Sequence, residues 1–146
     1  MKMKKLFALV GLLICLSCYA DESAELAPDE IKTLVSEVNG AQNKMMMLGS
    51  KMDDVDALFA MYSDDFTYIH EAYGGTYSRE LLYGNASRNV KAGRYKLTRD
   101  RYRILNILPG LNAAAVERLE LDSGKVHLSV FEFKGKKVSK ITEYWK

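Results

Sequence analysis

From residue 95 onward the chain reads as a run of strands broken by short turns. Tyr95 to Leu108 is one long segment rich in aromatic and β-branched residues, and Pro109-Gly110 marks a turn. Leu111 to Leu121 follows, and Asp122-Ser123-Gly124 leads into Lys125 to Phe133. Lys134-Gly135-Lys136 then leads into Lys137 to Trp145. Strands joined by such short connections form consecutive hairpins, so the sheet they build is antiparallel. A β-meander of this length needs an apolar partner for one of its faces.

The residues before it supply that partner. Pro28 sits where a first helical turn begins. Ile31, Leu34, Val35, Val38, Ala41, Met45 and Leu48 then recur at helical spacing, and Gly49 is placed to end the helix. Met45-Met46-Met47 reads as adaptable core filler. Ser50 is placed to cap a second helix whose inner face is Met52, Val55, Leu58, Phe59 and Tyr62, ending at Ser63-Asp64-Asp65. Phe66 to His70 reads as a strand, Gly74-Gly75 as a tight turn and Thr76-Tyr77 as a short strand. Ser78 opens a third helix that runs to about Ala92, where Gly93 stops it. The fold class is α+β: cone-shaped, with N-terminal helices packed on one curved antiparallel sheet and a cavity at the open end.

The first twenty residues follow different rules. Lys2, Lys4 and Lys5 precede the uncharged apolar run Leu6 to Leu16, and Ser17-Cys18-Tyr19-Ala20 offers small residues before a cut after Ala20. This three-part pattern is a secretory signal, and the run is shorter than the about 20 residues that span a bilayer. The expected organisation is a signal peptide over 1–20, a flexible lead over 21–27 and one domain over 28–146, periplasmic or secreted. Lipid attachment at Cys18 is the alternative; Cys15 stands where an aliphatic residue is usual for it. Both cysteines fall in this segment, so the mature chain carries no disulfide and no thiolate.

Charge changes with the cut. The chain holds 21 Lys and Arg against 19 Asp and Glu. Three lysines leave with the signal, so 18 basic residues face 19 acidic ones. The basic balance therefore belongs to export and does not imply nucleic-acid binding. Arg94, Lys96, Arg99, Arg101 and Arg103 crowd together, but no RNA-binding motif accompanies them; they read as an exposed face balanced by acidic helices.

Asp56-Ala57-Leu58-Phe59, Ser63 to His70 and Gly75 to Glu80, with Val130 to Val138 and Glu143-Tyr144-Trp145, give the chain a resemblance to the nuclear transport factor 2-like superfamily. That superfamily includes ketosteroid isomerases, polyketide cyclases and scytalone dehydratase. The resemblance covers roughly residues 29–146 and implies the cone fold more specifically than any chemistry, because that fold hosts enzymes, binding modules and members of unknown function. Its enzymes place an aspartate or histidine base in the cone with tyrosine or aspartate donors; their set does not map residue by residue onto this chain.

The candidate site is read from the residues themselves. His127 shares a strand face with Ser129, Phe131 and Phe133; Glu143 shares one with Ile141 and Trp145. Both faces read as concave, which places His127 and Glu143 in the cone, where a carboxylate orients an imidazole base. His70 and Glu71 lie near the cavity mouth, with Tyr68, Tyr73 and Tyr77 as hydroxyl donors. The candidate catalytic residues are His70, His127 and Glu143; the candidate ligand-binding residues are Tyr68, Glu71, Tyr73, Tyr77, Phe131 and Trp145. No cofactor and no metal are expected, since the chain has no zinc motif, phosphate loop or Gly-x-Ser-x-Gly elbow. Three functions stay open: an exported binding domain for a largely apolar small molecule, a cofactor-free lyase or isomerase with a histidine base, and a protein-interaction module. A homodimer through the sheet is a further expectation.

Overall fold

A computed structural model describes residues 25–145. The expected signal peptide and most of the lead lie outside the described residues. Packing reaches back into that lead: Leu26 is buried, and its backbone N–H donates to Asn112 Oδ1 at 2.8 Å.

Helix α1 spans Pro28–Met46, with Pro28 in its first turn and Glu30 accepting from the Ala27 N–H. It buries Ile31, Val35 and Val38, and one turn further on Asn39 and Asn43. Leu48, expected in the apolar stripe, is exposed instead. The helix stops two residues earlier, and the Leu48 N–H donates to the Leu97 carbonyl at 2.7 Å. Helix α2 spans Met52–Ala60; its N-cap is Lys51 rather than Ser50, because the Asp54 carboxylate reaches back to the Lys51 N–H at 2.8 Å. Helix α3 spans Arg79–Lys91 and is capped as its sequence predicts, with Ser78 Oγ accepting from the Leu81 N–H.

Six strands form one curved, open sheet in the order β2-β1-β6-β5-β4-β3. They are β1 Tyr62–His70, β2 Gly75–Ser78, β3 Tyr102–Gly110, β4 Ala113–Glu120, β5 Val126–Lys134 and β6 Lys137–Tyr144. The meander β3 to β6 is antiparallel throughout, as the short turns require. The sheet as a whole is mixed, since β1 lies parallel to β6. After β2 the chain passes through α3 to the far edge, and three hairpin reversals then bring β6 beside β1 in the same direction. Ser63-Asp64-Asp65, expected to end α2, lies within β1 at an irregularity where the register with β6 shifts between Tyr62 and Thr67.

Two further boundaries differ from the sequence reading. The first strand of the meander begins at Tyr102, not Tyr95. Asn43 Oδ1 accepts from the backbone N–H groups of Arg101 and Tyr102, and its Nδ2 donates to the Tyr102 carbonyl, so α1 pins the strand's start. Pro109-Gly110 lies inside β3, and the turn falls at Leu111-Asn112, where Asn112 takes φ 47°. Proline is tolerated there because β3 is an edge strand and its missing N–H costs no ladder bond.

Helices cover the concave face. Ile31, Val35, Val55 and Leu58 form one apolar cluster with Phe66, Phe131, Phe133 and Ile141. Burying side chains of this size contributes about 1.5–3 kcal/mol each. Among the described residues no helix is long and apolar enough to cross a membrane.

Candidate functional site

The concave face is polar at one end, and strand register explains how. Along β4, Ala114, Val116 and Arg118 face inward in alternation. Along β5, His127, Ser129, Phe131 and Phe133 do the same, as expected from the sequence. Arg118 stands opposite His127, and Ser129 opposite Glu143, whose other neighbour is His70 on β1. Four adjacent strands thus bring a guanidinium, two imidazoles, a hydroxyl and a carboxylate into one patch.

Arg118 and Glu143 form its centre. Both are almost fully buried, and Arg118 Nη2 donates to Glu143 Oε1 at 2.5 Å. Arg118 also donates to Ser129 Oγ at 3.1 Å and to Gln42 Oε1 at 2.8 Å, while Ser129 donates to Glu143 Oε2 at 2.8 Å. The guanidinium lies 4.4 Å from the Tyr102 ring centre and 5.6 Å from that of Phe131. A buried ion pair persists when hydrogen bonds satisfy its remaining atoms, and this network does that for all but Arg118 Nε.

The network floors a cavity of about 320 Å³. Gln42, Met45 and Met46 of α1, Leu58 and Phe59 of α2, and Leu82, Asn85 and Ala86 of α3 line its helical side. Tyr62, Tyr68, Tyr102, Arg118 and Glu143 line its sheet side, with Tyr95 and Arg101 from the loop before β3 and its last residue. Burial pushes the Tyr62 phenol up to about 12 and raises those of Tyr68 and Tyr102, so all three are protonated donors near neutrality.

Of the residues expected to form the site, Tyr68 and Glu143 line this cavity. Glu143 is held by Arg118, Ser129 and Trp145 rather than by His127. His127 lies just beside it, 1% exposed, under the Trp145 ring at 3.9 Å with the planes 8° apart. Its Nδ1 has no partner among the described residues, and burial lowers its pKa against the opposing pull of Glu120 and Glu143. His70 is also buried, with neither nitrogen partnered among the described residues; the edge of Trp145 meets it at 4.6 Å and Tyr73 at 4.3 Å. Trp145 Nε1 donates to Glu143 Oε2 at 2.5 Å. The indole therefore separates the two imidazoles from each other and covers both. Tyr77 sits on β2 beside Tyr68, Phe131 lies behind Arg118, and Glu71 is exposed in the 3-10 turn after β1.

Arg118, Gln42 and Tyr102 are the residues that the sequence reading passed over. The signal for Arg118 was present: it is in phase with Ala114 and Val116, an arginine at a core position of a strand. Among the described residues no group of three or more His, Cys, Asp or Glu is placed to hold a metal ion.

No protein-family model matches this sequence, and no curated protein matches it. Solved structures do. A nuclear transport factor 2-like protein of unknown function from Burkholderia xenovorans superposes with a TM-score of 0.56 at 21% identity, over 80% of this chain and 82% of that one. A SnoaL-like protein of unknown function from Burkholderia thailandensis gives 0.60 at 16% identity, over 83% and 98%. A de novo designed protein with a curved β-sheet gives 0.56 at 19%, over 81% and 86%. The chain has the α+β fold of the nuclear transport factor 2-like superfamily. A designed protein shares that fold, so activity has to be argued from the cavity.

Proposed function

We propose that this protein is an exported domain that binds a small, largely apolar molecule in the cavity between its helices and its sheet. The observation that carries the reading is the composition of that hollow: methionine, leucine and phenylalanine on the helical side, a few convergent polar groups on the sheet side. Ligand sites combine an apolar lining with a small number of placed polar groups in this way, and about 320 Å³ lies at the small end of their range. The methionines add adaptability to ligand shape.

Export rests on Lys2, Lys4 and Lys5 ahead of Leu6 to Leu16 and the small residues up to Ala20. Fractionation of a producing bacterial cell tests it: the expected product lies outside the cytoplasm and begins at Asp21. Native mass spectrometry of that product tests the binding reading. A discrete adduct of small mass, lost on unfolding, is the expected result.

A catalytic reading with His70 or His127 as base finds less support, since both imidazoles are covered by Trp145 rather than open to the hollow. The outer sheet face supports a second function. Val126, Leu128 and Tyr144 are about half exposed there, Leu108 more so, and Leu128 pairs directly with Tyr144. An apolar face of this kind suits pairing with a second copy. Light scattering of the protein and of Leu128→Glu tests it, a dimer that dissociates in the variant being the expected outcome.

A further inference from the structure

Trp145 is the only tryptophan in the chain, and it stands one residue past the end of β6. Side-chain contacts take over there from the strand ladder. The indole lies flat on His127 with ring centres 3.9 Å apart, its edge meets His70, and its Nε1 donates to Glu143 Oε2. It caps the polar end of the sheet, and its flat seat is an imidazole, a group that changes charge near neutrality.

That seat suits a neutral ring. His127 is 1% exposed, and its Nδ1 has no hydrogen-bond partner among the described residues. With the proton on Nε2, the neutral ring leaves Nδ1 as a bare acceptor. An imidazolium carries N–H on both nitrogens, so Nδ1 becomes a charged donor sealed from water with nothing to receive it.

The surrounding charges pull both ways. On β4, Arg118 stands opposite His127 in register and repels a cation, whereas Glu120 attracts one. Glu143 on β6 also attracts, although Arg118 already holds it. Arg101, just before β3, repels, and the Tyr102 ring of β3 packs 5.7 Å away. His70 of β1 lies beyond the indole. Burial outweighs the attractions and holds His127 below the usual imidazole range. Released into water, the same ring takes its ordinary value of about 6.5. A proton therefore binds the uncapped arrangement more tightly, and each unit between the two values shifts the balance toward it about tenfold. The cap is fully favoured above about pH 6.5 and loses that preference as pH falls through the lower value.

We propose that Trp145 and His127 form an acid-released latch, in which protonation of His127 frees the indole from its stack, breaks its bond to Glu143 and opens both imidazoles to water. Glu143 keeps Arg118 and Ser129, so the sheet stays ordered while the cap leaves. The latch does not depend on what the neighbouring hollow holds.

The single tryptophan makes its own probe. On acidification from about pH 8, its emission maximum is expected to move to the red and acrylamide to quench it more strongly, with the far-ultraviolet circular dichroism unchanged. His127→Gln is expected to remove that response. The chain has two histidines, so NMR of the protein with labelled imidazoles resolves both, and His70→Gln assigns them. The His127 resonance is expected to titrate with the midpoint of the fluorescence change. Emission and quenching that stay constant down to acid unfolding overturn the latch. A loss of intensity alone also overturns it, because the imidazolium then quenches an indole still stacked on it. So does a midpoint that differs from that of His127, or a response that persists in His127→Gln. The comparison of midpoints in the unmodified protein decides the matter even if His127→Gln fails to fold.

Discussion

The two ends of the β5–β6 hairpin face the same helices with different chemistry. Near its turn, Phe133 pairs with Val138 and Phe131 with Ile141, all buried in the apolar cluster. At its open end, His127, Ser129 and Glu143 are just as buried, but they are polar, and the hollow opens beside them. Burial alone therefore does not separate core from site in this fold. The turn end holds the sheet to the helices, whereas the open end holds a network whose members depend on one another.

Substitutions at the two ends should behave differently. Phe133→Ala is expected to have the largest effect, a loss of about 4 kcal/mol in urea unfolding, with ligand affinity unchanged below the transition. Arg118→Met should cost about 3 kcal/mol, because it strands the Glu143 carboxylate without its partner. Adding Glu143→Leu should recover most of that loss, because no buried charge is then left without its partner. If the double variant is as unstable as the sum of the singles, the polar end is ordinary packing and the contrast fails.

Trp145→Ala should cost about 2 kcal/mol through the lost stack and the lost bond to Glu143. It should also expose both imidazoles, read as faster modification of His70 and His127 by diethyl pyrocarbonate. The smallest effect is on pH dependence. Burial holds the folded His127 below its unfolded value of about 6.5, so the unfolded state binds the proton more readily. The stability from its neutral form is complete above about pH 6.5 and declines as pH falls from there through the folded pKa. His127→Gln should lose less stability than the parent between about pH 7 and pH 5 in urea titrations.

The layout of helices and meander was legible because apolar periodicity and hairpin turns are local signals. The parallel pairing of β1 with β6 was not, since it depends on where α3 delivers the chain, a non-local matter. Pro109-Gly110 misled as a turn because sequence does not show which strand becomes an edge. His127 and Glu143 were placed on the correct face by alternation, yet the partner of Glu143 is Arg118, on β4 across the intervening β5, a non-local pairing that alternation within one strand does not show. The basic residues crowded over 94–103 read as an exposed face, and Arg118, the one deeply buried arginine among the described residues, stands outside that stretch.

On the function proposed above, the space above Arg118 and Glu143 is a site for a molecule. Titration with the apolar fluorophore N-phenyl-1-naphthylamine tests it most directly, in the unmodified protein and in Leu82→Trp, where an indole from α3 would fill the hollow. Saturable binding at one equivalent, abolished by Leu82→Trp with the melting temperature retained, is the predicted result. Equal binding by both proteins would contradict it.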